Sequence, residues 1–219
     1  MTNFYTGKLG NEYWSHRMKS RHVDDSSFTA SKFTSFVSET DIVLDFGCGT
    51  GEVLDSINAS TKIGIEINEP SLAIARQKSL SLYTDLSEIP SCSIDLAITH
   101  HALEHVSDPY PVLQQLYRVL KREGRFVGFV PAEICIHPRF FSWSADPNHH
   151  IFSWTPLSFG NLVQSAGFLV SDCRLMLNPT PGSWTRPFAK VPLLFRTLTA
   201  LRVGIRGVAD IRCVARKND

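Results

Sequence analysis

The stretch Val43-Leu-Asp-Phe-Gly-Cys-Gly-Thr-Gly51 decides the fold. It joins a short apolar run, typical of a buried strand, to three alternate glycines, and a helical pattern of apolar residues follows. Glycine lacks the Cβ atom that keeps a ligand away from the main chain, and it tolerates positive φ angles. The stretch therefore predicts a strand that turns into a helix around a bound ligand. Asp45, at the strand end, offers an acceptor to a cationic amino group.

Strand patterns alternate with helical patterns along the rest of the chain. Short apolar and β-branched runs predict strands at 41–46, 62–67, 94–99, 124–130 and 168–177, a weaker one ending at Asp85, and an antiparallel partner at 209–217. Helices are predicted around 53–57, 112–120 and 156–167. This order is typical of a doubly wound, Rossmann-like α/β fold, with a seven-stranded, mostly parallel sheet, an antiparallel last strand and helices on both faces.

The length and composition fit one domain. At 219 residues and 43% hydrophobic content, the chain can bury one sizeable core. We predict an N-terminal cap segment over 1–40, with a helix around 28–37, and a main domain over 41–219. A polar and aromatic lid loop is predicted at 131–155, and an insertion between the last two strands at 178–208.

Charge and cysteine content exclude several classes of protein. The net charge is +1, with 22 basic and 21 acidic residues, so the chain has no overall basic footprint; a DNA partner is not expected and RNA is disfavoured. The five cysteines are odd in number and form no C-x-x-C pair, which argues against a disulfide framework and predicts a reducing, cytoplasmic location. The basic stretch 184–207 is either a solvated helix or a peripheral membrane contact.

The segment D-x-G-C-G-T-G at 45–51 resembles motif I of the class I S-adenosylmethionine-dependent methyltransferases, and 93–131 resembles their type 11 subgroup. The resemblance implies S-adenosylmethionine as the cofactor. A dinucleotide-binding domain is the alternative, but its G-x-G-x-x-G spacing places the third glycine one residue later. The cofactor-binding residues that the resemblance implies are Asp45, Gly47, Cys48, Gly49, Gly51, Glu66, Ile67, Asp85, Leu86 and His100.

The resemblance also gives these residues roles. Glu66 would accept hydrogen bonds from both ribose hydroxyls, and a carboxylate has the geometry for that. Asp85 would meet the adenine amino group, Leu86 would contribute its backbone, and Ile67 would form an apolar wall for the ring. Tyr13, Trp14 and Arg17 either fold over the cofactor or belong to an ordinary aromatic helix.

The candidate catalytic residues follow the fourth strand. Transfer of an activated methyl group needs alignment of the acceptor and, for some acceptors, removal of a proton. His105 and His101 are the candidate bases, since histidine titrates near neutral pH, although a structural role for His105 is equally compatible with the resemblance.

A metal site is the alternative interpretation of the same residues. The pattern H-x-x-E-H at 101–105, with His150 further on, resembles the metal ligands of small-RNA 2′-O-methyltransferases, and such a set suits zinc, manganese or iron. This chain has His101 where that family has Glu. We prefer the interpretation that His149 and His150 close the lid over the acceptor, and we predict no metal.

The sequence therefore predicts a methyltransferase that acts on oxygen or nitrogen of a small molecule or of a glycan or lipid precursor. Two alternatives remain open. One is a metal-assisted RNA 2′-O-methyltransferase that uses His101, Glu104, His105 and His150. The other is a non-catalytic binding module. The pattern defines neither the acceptor nor the oligomeric state.

Overall fold

The computed structural model describes residues 4–20, 25–133, 149–177, 191, 194, 197, 198 and 208–218. Most of the predicted lid and of the predicted insertion, and the side chain of Arg17, lie outside this description. Within the described part of the chain, no helix is long and apolar enough to cross a membrane.

Seven strands form one sheet, which confirms the predicted fold class. In chain order they are β1 (Ile42–Phe46), β2 (Thr61–Ile65), β3 (Ser81–Tyr83), β4 (Ile94–His100), β5 (Leu120–Glu133), β6 (Phe168–Leu177) and β7 (Val208–Lys217). The order across the sheet is β3-β2-β1-β4-β5-β7-β6. β7 runs opposite to the other six strands of this sheet, as it pairs antiparallel with both β5 and β6.

In the described part of the chain, six α-helices accompany the sheet: α1 (Gly7–Ser20), α2 (Asp25–Ser31), α3 (Glu52–Ser56), α4 (Glu69–Ala75), α5 (Pro109–Val119) and α6 (Pro156–Ser165). Their starts follow capping rules. Asn68, Asp108 and Thr155 each accept a main-chain N–H of the first turn through their side chains, and a proline follows within the first two helical positions.

The central strands lie in a core that is apolar on both sides of the sheet. Leu44, Ala97 and Phe126 belong to one buried cluster, whereas Val43, Leu96 and Val127 belong to the other. Because side chains alternate across a strand, the continuous apolar runs of β1, β4 and β5 supply both clusters. The helices cover the sheet on both faces, and the carboxyl ends of the parallel strands stay open at one edge.

Two predicted elements differ from the observed ones. The helix predicted around 28–37 is split into α2, which ends at Ser31, and a separate 3-10 turn at Thr34–Phe36. The predicted helix 112–120 ends at Val119, because the chain becomes extended at Leu120, where β5 begins.

Candidate active site

Three glycines after β1 adopt the left-handed conformation, with φ angles of +78° at Gly47, +55° at Gly49 and +74° at Gly51. A Cβ atom on Gly47 would lie 2.4 Å from the Cβ of Ala102, so only glycine fits beneath the loop after β4. A Cβ atom on Gly49 would meet nothing within 4 Å. The main chain at Gly49 therefore borders open space that a ligand can occupy.

Glu66 lies directly after β2 and ties the glycine turn to the next strand. Its Oε2 accepts a hydrogen bond from Gly49 N at 2.8 Å, and its Oε1 accepts from the N–H groups of Ile67 and Asn68 at 2.8 Å each. These bonds fix the carboxylate at the cavity wall. Oε1 already accepts two hydrogen bonds, whereas Oε2 has one lone-pair site left, so one further hydroxyl donor can be accepted.

Asp45 and Cys48 lie below the turn, in the protein interior. Burial, together with the negative charge of Glu66, raises the pKa of Asp45 well above its ordinary value. Asp45 is 4% exposed, and its side chain accepts no hydrogen bond from any residue that the structure describes. A cationic group nearby would lower this pKa and favour the ionised carboxylate. Burial also raises the pKa of the Cys48 thiol, so this cysteine is an inert, packed residue rather than a nucleophile.

Asp85 follows β3 and begins a 3-10 turn. Its Oδ1 accepts a hydrogen bond from Ser87 N at 2.7 Å, and this bond lowers the pKa of Asp85. The side chain is exposed and therefore ionised and available to a ligand, whereas Leu86 beside it is buried. Ile67 is a partly exposed apolar residue on the same cavity.

One cavity of about 620 Å³ joins these residues to the histidines after β4. We call the residues that build its two ends the glycine-turn side (Asp45–Gly51, Glu66 and Asp85) and the histidine side (100–105, 149 and 150). Asp45, Cys48 and Gly51 stand behind the wall and do not line it, and neither do Glu104 and His150. The predicted site residues that line it are Gly47, Gly49, Glu66, Ile67, Asp85, Leu86, His100, His101 and His105.

His101 occupies a strained position at the end of β4. Its φ angle is +53°, and this left-handed conformation costs a residue with a Cβ atom about 1 to 2 kcal/mol. Its main-chain N–H donates to Phe129 O at 2.9 Å, and its Nε2 lies 3.0 Å from Oδ1 of Asp210. The ring stacks on His100, with centroids 4.3 Å apart. The side chain keeps 31% of its surface exposed, at the cavity.

The N-terminal segment covers the histidine side. The hydroxyl of Tyr5 lies 2.7 Å from Nδ1 of His105 and donates to the main-chain oxygen of His149 at 3.2 Å. Phe4 stacks on the His149 ring, with centroids 4.2 Å apart. Tyr13 lines the cavity together with Phe4 and Tyr5. Aromatic rings thus close this end of the cavity.

Glu104 is fully buried, and neither of its carboxylate oxygens has a hydrogen-bond partner among the described residues. Burial raises its pKa, although the charges of His101 and His150 partly offset that effect. Glu104, His105 and His150 have side-chain donor atoms within 4.8 Å of one another. His101 lies instead with His100 and Asp210, so the four ligands of the alternative metal site do not form one group among the described residues.

Two residues at this site could not be predicted from the sequence. Asp210, at the start of β7, is 1% exposed, and its Oδ2 accepts a hydrogen bond from Nζ of Lys32 at 2.6 Å. The same Nζ lies 2.9 Å from Nε2 of His100. Because β7 runs antiparallel, its first residues lie at the edge where β4 ends. Only the strand direction, combined with the sheet order, could have brought Asp210 next to His101.

Comparison with known proteins agrees with this geometry. Residues 44–128 match the family described as "Methyltransferase domain". A malonyl-[acyl-carrier protein] O-methyltransferase of Marinomonas is 29% identical, over 42% of this chain and 38% of that protein. A ubiquinone biosynthesis O-methyltransferase of Pseudomonas entomophila is 31% identical, over 38% of this chain and 41% of that protein. The matches span about half the length of the curated relatives or less.

Solved structures show the same fold. A SAM-dependent methyltransferase from Archaeoglobus fulgidus superposes with a TM-score of 0.68 at 20% identity, over 94% of this chain and 99% of that chain. The family match covers the glycine turn, the strand ends and the first histidines, which are the parts that build the cavity. The chain therefore contains a class I S-adenosylmethionine-dependent methyltransferase domain, and S-adenosylmethionine is its cofactor.

Proposed function

We propose that this chain transfers the methyl group of S-adenosylmethionine to an oxygen or nitrogen atom of a small molecule held in the 620 Å³ cavity. The observation that carries the proposal is the continuity of this cavity. It joins main-chain atoms and carboxylates suited to the cofactor with imidazoles suited to proton transfer, and its volume is in the range of small-molecule sites.

The residues of the glycine-turn side would hold the cofactor. Glu66 has one acceptor site left on Oε2 for a ribose hydroxyl, Asp85 is ionised and exposed for the adenine amino group, and Asp45 lies buried behind the glycine turn. Ile67 and Leu86 provide apolar surface for the ring. When bound, the cofactor supplies a methyl group that is already activated by the positive sulfur, so the protein needs to supply alignment and a base.

His101 would be that base. It lines the cavity, and its Nδ1 has no hydrogen-bond partner among the residues that the structure describes. As the methyl group bonds to the acceptor oxygen or nitrogen and its bond to sulfur breaks, the acceptor proton would pass to Nδ1. His105 remains a second candidate, but its Nδ1 is engaged with the Tyr5 hydroxyl, which favours a role in holding the N-terminal segment.

The cavity wall supports a small, uncharged acceptor. Among the described residues that line it, none is Lys or Arg, whereas phosphate-rich acceptors such as RNA are bound mainly by these cations. Two relatives carry names of small-molecule or carrier-linked O-methyltransferases, which supports an oxygen acceptor. Extension to a glycan or lipid precursor depends on 184–207, of which only isolated residues are described.

The cofactor assignment can be tested by calorimetry with S-adenosylhomocysteine. We expect Glu66→Ala to weaken binding about 100-fold, the upper scale of losing one charge-assisted hydrogen bond. Glu69→Ala is the matched control, because Glu69 is an exposed carboxylate that pairs with Arg76. Unchanged affinity in Glu66→Ala would contradict the ribose assignment.

Transfer itself can be tested with methyl-labelled cofactor and a library of phenols, carboxylates and amines, with catechol as the first oxygen acceptor. We expect His101→Asn to lower kcat about 100-fold without weakening binding of S-adenosylhomocysteine, as for loss of a general base. Asparagine suits the left-handed position of His101. His16→Asn, an exposed site on α1, is the control. Cofactor binding without transfer to any library member would favour the non-catalytic alternative.

A further inference from the structure

The geometry points to Asp210 as a positioning residue that fixes the tautomer and the ring orientation of His101. This inference rests on the proposed function, because it gives the base a partner. Asp210 lies outside the family-matched residues 44–128, as does Lys32, which contacts it. The family match therefore does not assign a role to either residue.

Asp210 is held as a buried anion. Burial alone would raise the pKa of Asp210, but the hydrogen bond and charge of His101 and the ammonium group of Lys32 lower it well below its ordinary value. Lys32 has only 11% of its side chain exposed and lies 5.3 Å above the Phe129 ring, so the cation is itself held in place. Burial of the carboxylate is compensated, which makes it a fixed feature of the site.

The ionised state of Asp210 sets the hydrogen on His101. A carboxylate accepts hydrogen bonds and donates none, so Nε2 of His101, which lies 3.0 Å from Oδ1, must carry the hydrogen. Neutral His101 then has its lone pair on Nδ1. That is the nitrogen atom without a partner among the described residues, in a side chain that borders the cavity. The Asp210 carboxylate also stabilises the imidazolium that forms when Nδ1 takes a proton.

The surroundings of His101 complete this assignment. Among the described residues, the charged and titratable groups that face it are Asp210 from β7, Lys32 from the turn after α2, His100 from β4, and Glu104 from the following turn. Lys32 donates to Nε2 of His100, so that ring accepts there and cannot replace Asp210 as the acceptor for His101. The strained main chain of His101 is held in place by its bonds to Phe129 and Asp210.

The test is nitrogen-15 NMR of the full chain labelled at histidine, with the His101 signals identified by their loss in His101→Asn. We expect the Nε2–H tautomer in the wild type. In Asp210→Asn the side-chain amide can donate to Nε2, so the Nδ1–H tautomer should become populated. Asp172→Asn is the matched control. Asp172 lies in β6 and pairs with Arg212 of β7, without a contact to His101. An unchanged tautomer in Asp210→Asn would overturn the inference.

Folding and function are separated by two further variants. Asp210→Asn leaves Lys32 buried without an anion, so Lys32→Met/Asp210→Asn removes the pair together and should show the same tautomer change if the single variant does not fold. In methyl transfer to catechol, we expect Asp210→Asn to lower kcat by about 10²- to 10⁴-fold with KM for the cofactor unchanged. Adding His101→Asn should cause no further loss, since both changes remove one function.

If the losses of kcat in Asp210→Asn and His101→Asn multiply in the double variant, Asp210 does not act through His101, and the inference fails. If the wild type transfers no methyl group to any acceptor, the proposed function fails instead. The tautomer measurement needs no acceptor and decides the role of Asp210 in either case.

Discussion

The two sides of the cavity are built in different ways. The glycine-turn side comes from a short piece of chain, 45 to 85, and presents mainly main-chain atoms and carboxylates fixed by main-chain N–H groups. The histidine side comes from the loop after β4 and from 149 and 150, and it is held by side chains of the N-terminal segment, of Lys32 after α2 and of Asp210 in β7. The main-chain contacts of the glycine-turn side suit a ligand that stays the same. The histidine side is built from side chains, so single substitutions can alter what it binds. This difference predicts where substitutions damage the fold and where they change only the chemistry.

The largest effect is expected at the glycine turn. Gly47→Ala combines a left-handed residue with a clash against Ala102, so we expect the free energy of unfolding to fall by about 3 kcal/mol, measured in urea. Gly7→Ala has a similar φ angle with open space around it and should cost only about 1 kcal/mol. Equal losses at the two positions would show that close packing against Ala102 is not what requires glycine.

A smaller effect is expected at Glu104, on the histidine side. Its pKa is raised above the ordinary 4.5, so the folded protein holds this proton more tightly than the unfolded chain does. The contribution to stability is therefore complete below pH 4.5 and is lost as the pH rises through the folded pKa. Glu104→Gln should remove this loss and raise the free energy of unfolding at pH 8 by roughly 1 kcal/mol, with no gain at pH 4.

Urea unfolding at the two pH values measures this difference, with Glu69→Gln as an exposed control that should change neither value. A Glu104→Gln variant that is less stable at pH 8 would mean that ionised Glu104 has a favourable partner. A bound cation between Glu104, His105 and His150 would then be the first explanation to examine.

The smallest effect is expected at Tyr5, where one hydroxyl links the N-terminal segment to His105. Tyr5→Phe keeps the ring contacts and removes about 1 kcal/mol of local stabilisation, which corresponds to roughly fivefold faster hydrogen exchange in α1. Tyr110→Phe loses a comparable hydroxyl contact, to Ser165 O, far from this segment and should leave α1 unchanged. Equal exchange in wild type and Tyr5→Phe would show that the hydroxyl does not retain the segment.

Sequence patterns revealed the glycine-turn side because each of its residues follows a strand within a few positions. The fold class and the antiparallel last strand were also predictable, since β1, β4 and β5 have continuous apolar runs and 209–217 matches 168–177 in length. The histidine side could be predicted only in part from the sequence. His101 and His105 are four residues apart and would share a face of a helix, but the left-handed His101 precedes a 3-10 turn of three residues.

Asp210 and Lys32 were missed for a different reason. Asp210 stands 109 positions beyond His101 in a strand pattern, and nothing local distinguishes it from a solvated aspartate at a strand end. Its role depends on the sheet order, which places β7 next to β5. Lys32 lies in the residue run where a continuous helix was predicted, and the end of α2 at Ser31 sets its position.

The position of β7 also affects how the protein is made. β6 leaves the ribosome before β7, but in the finished sheet β7 lies between β5 and β6. Until residues 208–217 emerge, the β5 edge has unpaired N–H and C=O groups, and β6 has no strand to join. Newly synthesised chains therefore expose a long open strand edge for the time taken to translate the residues that follow β6. Chaperone binding or aggregation during synthesis should concentrate on that interval.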